Sequence, residues 1–100
     1  MTCEDMNIGI PEEEIRAVLA DWLRNPSWRE YCEQAPSEEC RTLITLEFLY
    51  SEYETEEIAL AMDRTEKKLA LADWRHLDRY CGNGPRKKQI HDRIIALGGD

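Results

Sequence analysis

Between Cys40 and Tyr53 the chain reads CRTLITLEFLYSEY, and this stretch constrains the fold more than any other. Wound as a helix, it points Leu43, Ile44, Leu46, Phe48, Leu49, Tyr50 and Tyr53 in nearly every direction, with Arg41, Thr42, Thr45, Glu47, Ser51 and Glu52 interspersed. A helix that is apolar almost all round must be enclosed by other elements, so residues 38–53 belong at the centre. A buried strand is the rival reading, because a short apolar run rich in β-branched and aromatic residues suits either state. Two features favour the helix. Ser37, Glu38 and Glu39 supply an N-cap hydroxyl and first-turn carboxylates where free N–H groups and the helix dipole want them. A strand also needs partners, and no second strand-like run exists in the sequence.

Helical signals flank this centre on both sides. Pro11 suits a first helical position, Glu12, Glu13 and Glu14 complement the dipole, and Ile15, Val18, Leu19 and Trp22 recur at helical spacing. The pattern predicts a helix over about 11–24, stopped by Asn25-Pro26. Ser27-Trp28-Arg29-Glu30 reads as a capping box opening a short helix, about 28–34, that Pro36 ends. Thr55 is the next N-cap. Behind it Ile58, Ala61, Met62, Thr65, Leu69 and Ala72 form one stripe, whereas Trp74, Leu77 and Cys81 lie on another face. That change predicts a break near Ala72-Asp73, with Asp73 capping a helix over about 74–81; without the break, one helix runs from 56 to 81. Gly82-Asn83-Gly84 is a stop, Pro85 starts a last helix that buries Ile90, Ile94 and Leu97, and Gly98-Gly99 ends it. The expected fold is all-α: a compact array of five to six short helices around the central one, with residues 1–10 as a loose leader and 11–98 as a single domain.

Length and composition agree. One hundred residues suit one domain and can bury a core without staples. A charge of −8 with 42% apolar residues is globular composition rather than disordered. No run approaches a membrane span, and the acidic N-terminus is unlike a signal peptide, so the expected location is cytoplasmic and off the membrane. There Cys3, Cys32, Cys40 and Cys81 are expected to stay reduced, as small apolar residues. Their spacing lacks the C-x-x-C pair of a structural zinc site, and neither metal nor cofactor is expected.

Catalytic patterns are thin. Asp73-x-x-His76 is half of a di-iron motif with no second copy, His91-Asp92 is a bare adjacent pair, and His76 and Cys81 do not share a helical face. No G-x-S-x-G or H-E-x-x-H occurs. Both histidines read as surface groups, and no catalytic residue is assigned.

Charge is distributed unevenly. Residues 1–74 hold 7 basic and 18 acidic side chains, and residues 75–100 hold 6 basic and 3 acidic. Arg86, Lys87 and Lys88 occupy the first turn of the last helix, where the dipole disfavours cations by a few tenths of a kcal/mol each. A sequence that keeps them there points to an anion or partner site, with Gln89 and Arg93 on the same flank as Arg86, and replacing the three cations by Gln is expected to leave folding intact. Trp28, opening a short helix between two prolines, is the one aromatic singled out as a partner anchor; the other tryptophans and the tyrosines read mostly as core. The expected function is therefore a small, non-catalytic module or regulator that binds a protein. Two alternatives stand beside it: a helix-turn-helix over 74–97 that binds nucleic acid through its basic second helix, and an acidic inhibitor that imitates nucleic acid, of a kind encoded by mobile elements.

Overall fold

The computed structural model describes residues 9–81 and 84–99, and these form six α-helices with no strand among them. In chain order they are α1 (Glu12–Trp22), α2 (Pro26–Glu33), α3 (Glu38–Tyr53), α4 (Glu56–Glu66), α5 (Leu71–Tyr80) and α6 (Pro85–Ala96). The strand alternative for Thr42–Tyr50 is excluded, since that segment is the middle of α3.

α3 lies between two packed clusters, which is why its apolar residues point in several directions. Cys40, Leu43 and Ile44 join Trp22, Tyr31, Cys32, Leu69, Trp74, Leu77, Ile90 and Ile94 in the larger cluster. Leu46 and Leu49 turn toward α1 and α4, where Ile15, Ile58 and Ala61 form the smaller one. α3 packs most extensively on α4, and α5 pairs with α6 as a hairpin that meets the rest mainly across α3. The radius of gyration, 13.3 Å, matches the roughly 13 Å of a compact chain of this length. Ile10, which the sequence placed in the leader, packs against the smaller cluster. The rest of the expected leader up to Ile8, and the Gly82-Asn83 part of the expected stop, lie outside the described residues.

The caps explain the boundaries, and some differ from expectation. Ser37 Oγ accepts from Cys40 N at 3.1 Å and Thr55 Oγ1 accepts from Ile58 N at 3.3 Å, as the hydroxyl signals implied. α2 starts earlier than predicted. Asn25 is its N-cap, its Oδ1 accepting from Ser27 N at 3.0 Å, and Pro26 is the first helical residue. Asn25-Pro26 is thus a start signal, and the Ser27–Glu30 capping box does not form. Pro11 likewise stands one position outside its helix, as the N-cap of α1.

Residues 56–81 form two helices, but the break falls at 67–70 rather than at Ala72-Asp73. Asp73 sits three residues into α5 and reaches back, its Oδ2 accepting from Ala70 N at 2.8 Å. Its Oδ1 accepts from Ser37 Oγ at 2.7 Å. One Ser–Asp pair therefore satisfies free N–H groups at the starts of both α3 and α5, and fixes those two helix ends side by side. Cys40 Sγ adds a contact to Asp73 O at 3.8 Å. At the far end of α6, Gly98 takes the left-handed conformation (φ +82°) and Gly99 N bonds back to Ile94 O at 2.8 Å, closing the helix as the paired glycines implied.

Candidate functional site

Two surface regions gather the residues singled out by the sequence. The first is the start of α6. Here Arg86 is turned into the fold: its Nε donates to Glu47 Oε1 of α3 at 2.7 Å, and its Nη2 is ion-paired with Glu66 at the end of α4. Lys87 pairs with Asp78 of α5 at 3.1 Å and also donates to the Asp78 carbonyl. These carboxylates offset the dipolar penalty that made the cations conspicuous. Two of the three cations are ties between helices, so replacing all three is now expected to cost stability rather than to leave it unchanged. Lys88 and Arg93 are exposed and form no ion pair among the described residues.

Arg86, Gln89 and Arg93 do share a flank, as helical spacing implied. With Glu66, Trp74 and Asp92 they line a surface cavity of about 370 Å³. Arg86 Nη1 also donates to Gln89 Oε1 at 3.1 Å. Two guanidinium groups here face two carboxylates, so the cavity carries no clear excess of positive charge for a phosphate. Glu47 lies beneath it. Burial holds its carboxyl above the ordinary value, while the Arg86 guanidinium pulls it down.

The second region is aromatic. Trp22, buried at the end of α1, stacks on Phe48 of α3 with ring centroids 4.6 Å apart. Trp28 tilts against Trp22 at 5.8 Å and against Tyr31 at 5.7 Å. Tyr31 stacks in turn on Tyr80 of α5 at 4.5 Å and on His76 at 5.1 Å. A ladder of rings thus runs from the core to the surface. At its outer end Ser27, Trp28, Tyr31 and Tyr80 line a groove of about 250 Å³. Trp28 is 42% exposed and Tyr80 37%, whereas Tyr31 is buried. Burial also raises the Tyr31 phenol far above its ordinary value, so it stays neutral at any physiological pH.

His76 is what holds this arrangement. It is buried rather than on the surface, which corrects the sequence reading. Its Nε2 lies 2.8 Å from the Tyr31 carbonyl. A carbonyl oxygen only accepts, so Nε2 carries the proton and donates. That bond fastens the backbone of α2 to α5 directly behind the groove. Tyr80 extends the link, its hydroxyl donating to Gln34 Oε1 at 3.2 Å, and Gln34 Nε2 donates to Glu30 Oε1 at 3.0 Å.

Of the six residues proposed from sequence, the structure brings Arg86, Gln89 and Arg93 together, turns Lys87 onto Asp78, leaves Lys88 on the surface, and sets Trp28 in a different place altogether. Tyr80 and Tyr31 were missed as groove residues. Helical spacing marked Tyr31 as core, and nothing in the sequence shows that α5 delivers Tyr80 beside it. Tyr50, also read as core, is exposed on the last turn of α3. His76 Nε2 is engaged with the Tyr31 carbonyl, and no group of three or more His, Cys, Asp or Glu able to hold a metal occurs among the described residues. Comparisons with protein-family models, curated proteins and solved structures give no match, so the reading of this site rests on its own geometry.

Proposed function

We propose that this chain is a small protein-binding module without catalytic activity, and that it engages its partner through the groove of Trp28, Tyr31 and Tyr80. The observation that carries this reading is a large aromatic side chain left 42% exposed yet packed against two other rings. An aromatic anchor of that kind loses little freedom on binding and contributes a large contact area, which is the property of interface hot spots. The location on no membrane-spanning element fits a partner met in solution: among the described residues, no helix is long and apolar enough to cross a membrane.

The test compares partner capture from the source cell by the wild-type chain and by Trp28→Ala, with helicity checked by circular dichroism. Capture lost in a folded Trp28→Ala protein supports the reading. Capture retained there but lost on replacing Lys88 and Arg93 by Gln, together with recovery of nucleic acid, favours the helix-turn-helix of α5 and α6, whose outward cations these are. Capture lost only on neutralising Glu52, Glu56 and Glu57, all exposed on neighbouring ends of α3 and α4, favours an acidic surface that imitates nucleic acid.

A further inference from the structure

We infer that the Trp28–Tyr31–Tyr80 groove receives the side chain of an arginine from a basic segment of the partner. The inference rests on the protein-binding reading and names what that site would recognise.

Four observations converge on this occupant. The groove is lined by Ser27 and three aromatic residues, Trp28, Tyr31 and Tyr80, with no cationic side chain among its lining residues. An anionic group would therefore meet the electron-rich faces of rings and no counter-charge, whereas a cation is attracted to those faces. At about 250 Å³ the space is smaller than the roughly 300–1,000 Å³ of pockets that enclose whole small-molecule ligands, which favours a single inserted side chain. Tyr31 and Tyr80 are already stacked on each other, 4.5 Å and 29° apart, so the ring surface open to a partner is that of the part-exposed Trp28 and Tyr80. A planar guanidinium stacks on such faces better than a compact, strongly hydrated ammonium does.

Charge completes the argument. Glu30 is joined through Gln34 to the Tyr80 hydroxyl, and both Glu30 and Glu33 of α2 are exposed. The whole chain carries −8, so a basic segment is drawn toward it at long range. Arg29 and Arg79 neighbour the ring-bearing positions, but each is one residue away from Trp28 or Tyr80, which turns it by about 100° around its helix.

The test uses the full chain labelled with nitrogen-15 and four short capped peptides of alternating glycine and a second residue: arginine, its neutral isostere citrulline, norleucine, or glutamate. The indole N–H signal of Trp28 reports binding, and it is distinguishable because Trp22 and Trp74 are buried at 5% and 3% exposure. The arginine peptide is expected to shift the Trp28 signal and to bind at least tenfold more tightly than the citrulline peptide. Tyr80→Phe, which keeps the ring, should retain that binding and Tyr80→Ala should lose it; in Trp28→Ala, which lacks the reporter indole, binding is followed by the backbone amide signals of Tyr31 and Tyr80 and should also be lost. Glu30→Gln should weaken it severalfold. Equal binding of the citrulline or norleucine peptide overturns the cationic occupant and leaves an apolar docking groove. No response to any peptide, with partner capture still lost in Trp28→Ala, overturns this inference alone. No response, with capture intact in Trp28→Ala, overturns both this inference and the protein-binding role of the groove.

Discussion

Arg86 shows how a single side chain changes meaning between sequence and fold. Read along the helix, it is a cation placed against its own dipole; in space, it is the counter-charge for Glu47 and Glu66. Arg86→Gln leaves two carboxylates facing each other with reduced access to water. Removing one partner of a buried pair costs roughly 3–5 kcal/mol. Arg86 is about a third exposed, with a side-chain accessibility of 32%, so solvent screening brings the expected loss to about 2 kcal/mol. The loss should depend on pH. Burial, the largest cause, holds the Glu47 carboxyl above its ordinary 4.5 in the folded state, and Arg86 opposes that rise. A carboxyl with a raised folded value favours the fold when protonated, so its contribution is present below about 4.5 and is lost as pH rises through the folded value. Without Arg86 the rise is larger and the loss at neutral pH greater. Urea midpoints of the variant should therefore lie further below wild type at about pH 7 than at about pH 5. An equal deficit at both would mean that Arg86 contributes packing rather than charge.

At the scale of elements, α3 decides whether the array holds. Leu49 is fully buried in the smaller cluster, between α1 and α4. Leu49→Ala should lower stability by about 2–5 kcal/mol, because helices packed from several sides cannot collapse into the space left behind. A change below about 0.5 kcal/mol by urea denaturation would contradict this placement. The end of α3 carries the opposite opportunity. Glu54 adopts a left-handed conformation (φ +47°) to turn the chain into α4, a region that costs a residue with a Cβ roughly 1–2 kcal/mol. Glu54→Gly removes that strain but loosens the unfolded chain, so a net gain of about 0.5–1 kcal/mol is expected, read as a higher thermal midpoint. A lower midpoint would show that the Glu54 side chain stabilises the turn by contacts that outweigh the backbone strain. The α3 helix and its Ser37 cap were legible because both signals are local. Glu54 was not: no residue-type preference announces a glutamate in a position that glycine usually fills, and only the approach of α4 dictates the turn.

The molecule as a whole is joined by contacts between segments far apart in the chain. Cys40 makes this testable. It has no exposed surface, its thiol contacts Asp73 O across the α3–α5 boundary, and burial pushes it up to about 12. Since the thiolate is the reactive form, folded Cys40 should be inert at about pH 8, and its alkylation should proceed only through opening of the larger cluster. Mass-spectrometric mapping should then find Cys81, which is partly accessible, modified well before Cys40. Adding denaturant below the midpoint should accelerate Cys40 selectively. Comparable rates at the two sites in native buffer would show that α5 and α6 detach from α3 without global unfolding. The sign on the alkaline side follows from the same shift: the Cys40 contribution to stability is intact below its ordinary 9.0 and is lost as pH rises toward 12.

What the sequence determined by itself is the set of elements: an all-helical chain, a central helix at 38–53, hydroxyl caps at Ser37 and Thr55, and a glycine stop at Gly98. Each follows from interactions spanning a few residues, where apolar spacing and capping chemistry act directly. The tertiary structure alone decided which residues meet. Asp73 was recognised as a capping group but not as the partner of Ser37, 36 residues earlier. His76 looked like a surface residue because its acceptor, the Tyr31 carbonyl, lies 45 residues away. The groove forms where that bond, the Tyr31–Tyr80 ring contact and the Tyr80–Gln34 hydrogen bond join α2 to α5. Periodicity assigns a side chain to a face of its own helix, whereas the identity of the opposing face depends on how the helices cross, and that is set by the summed packing of the whole chain.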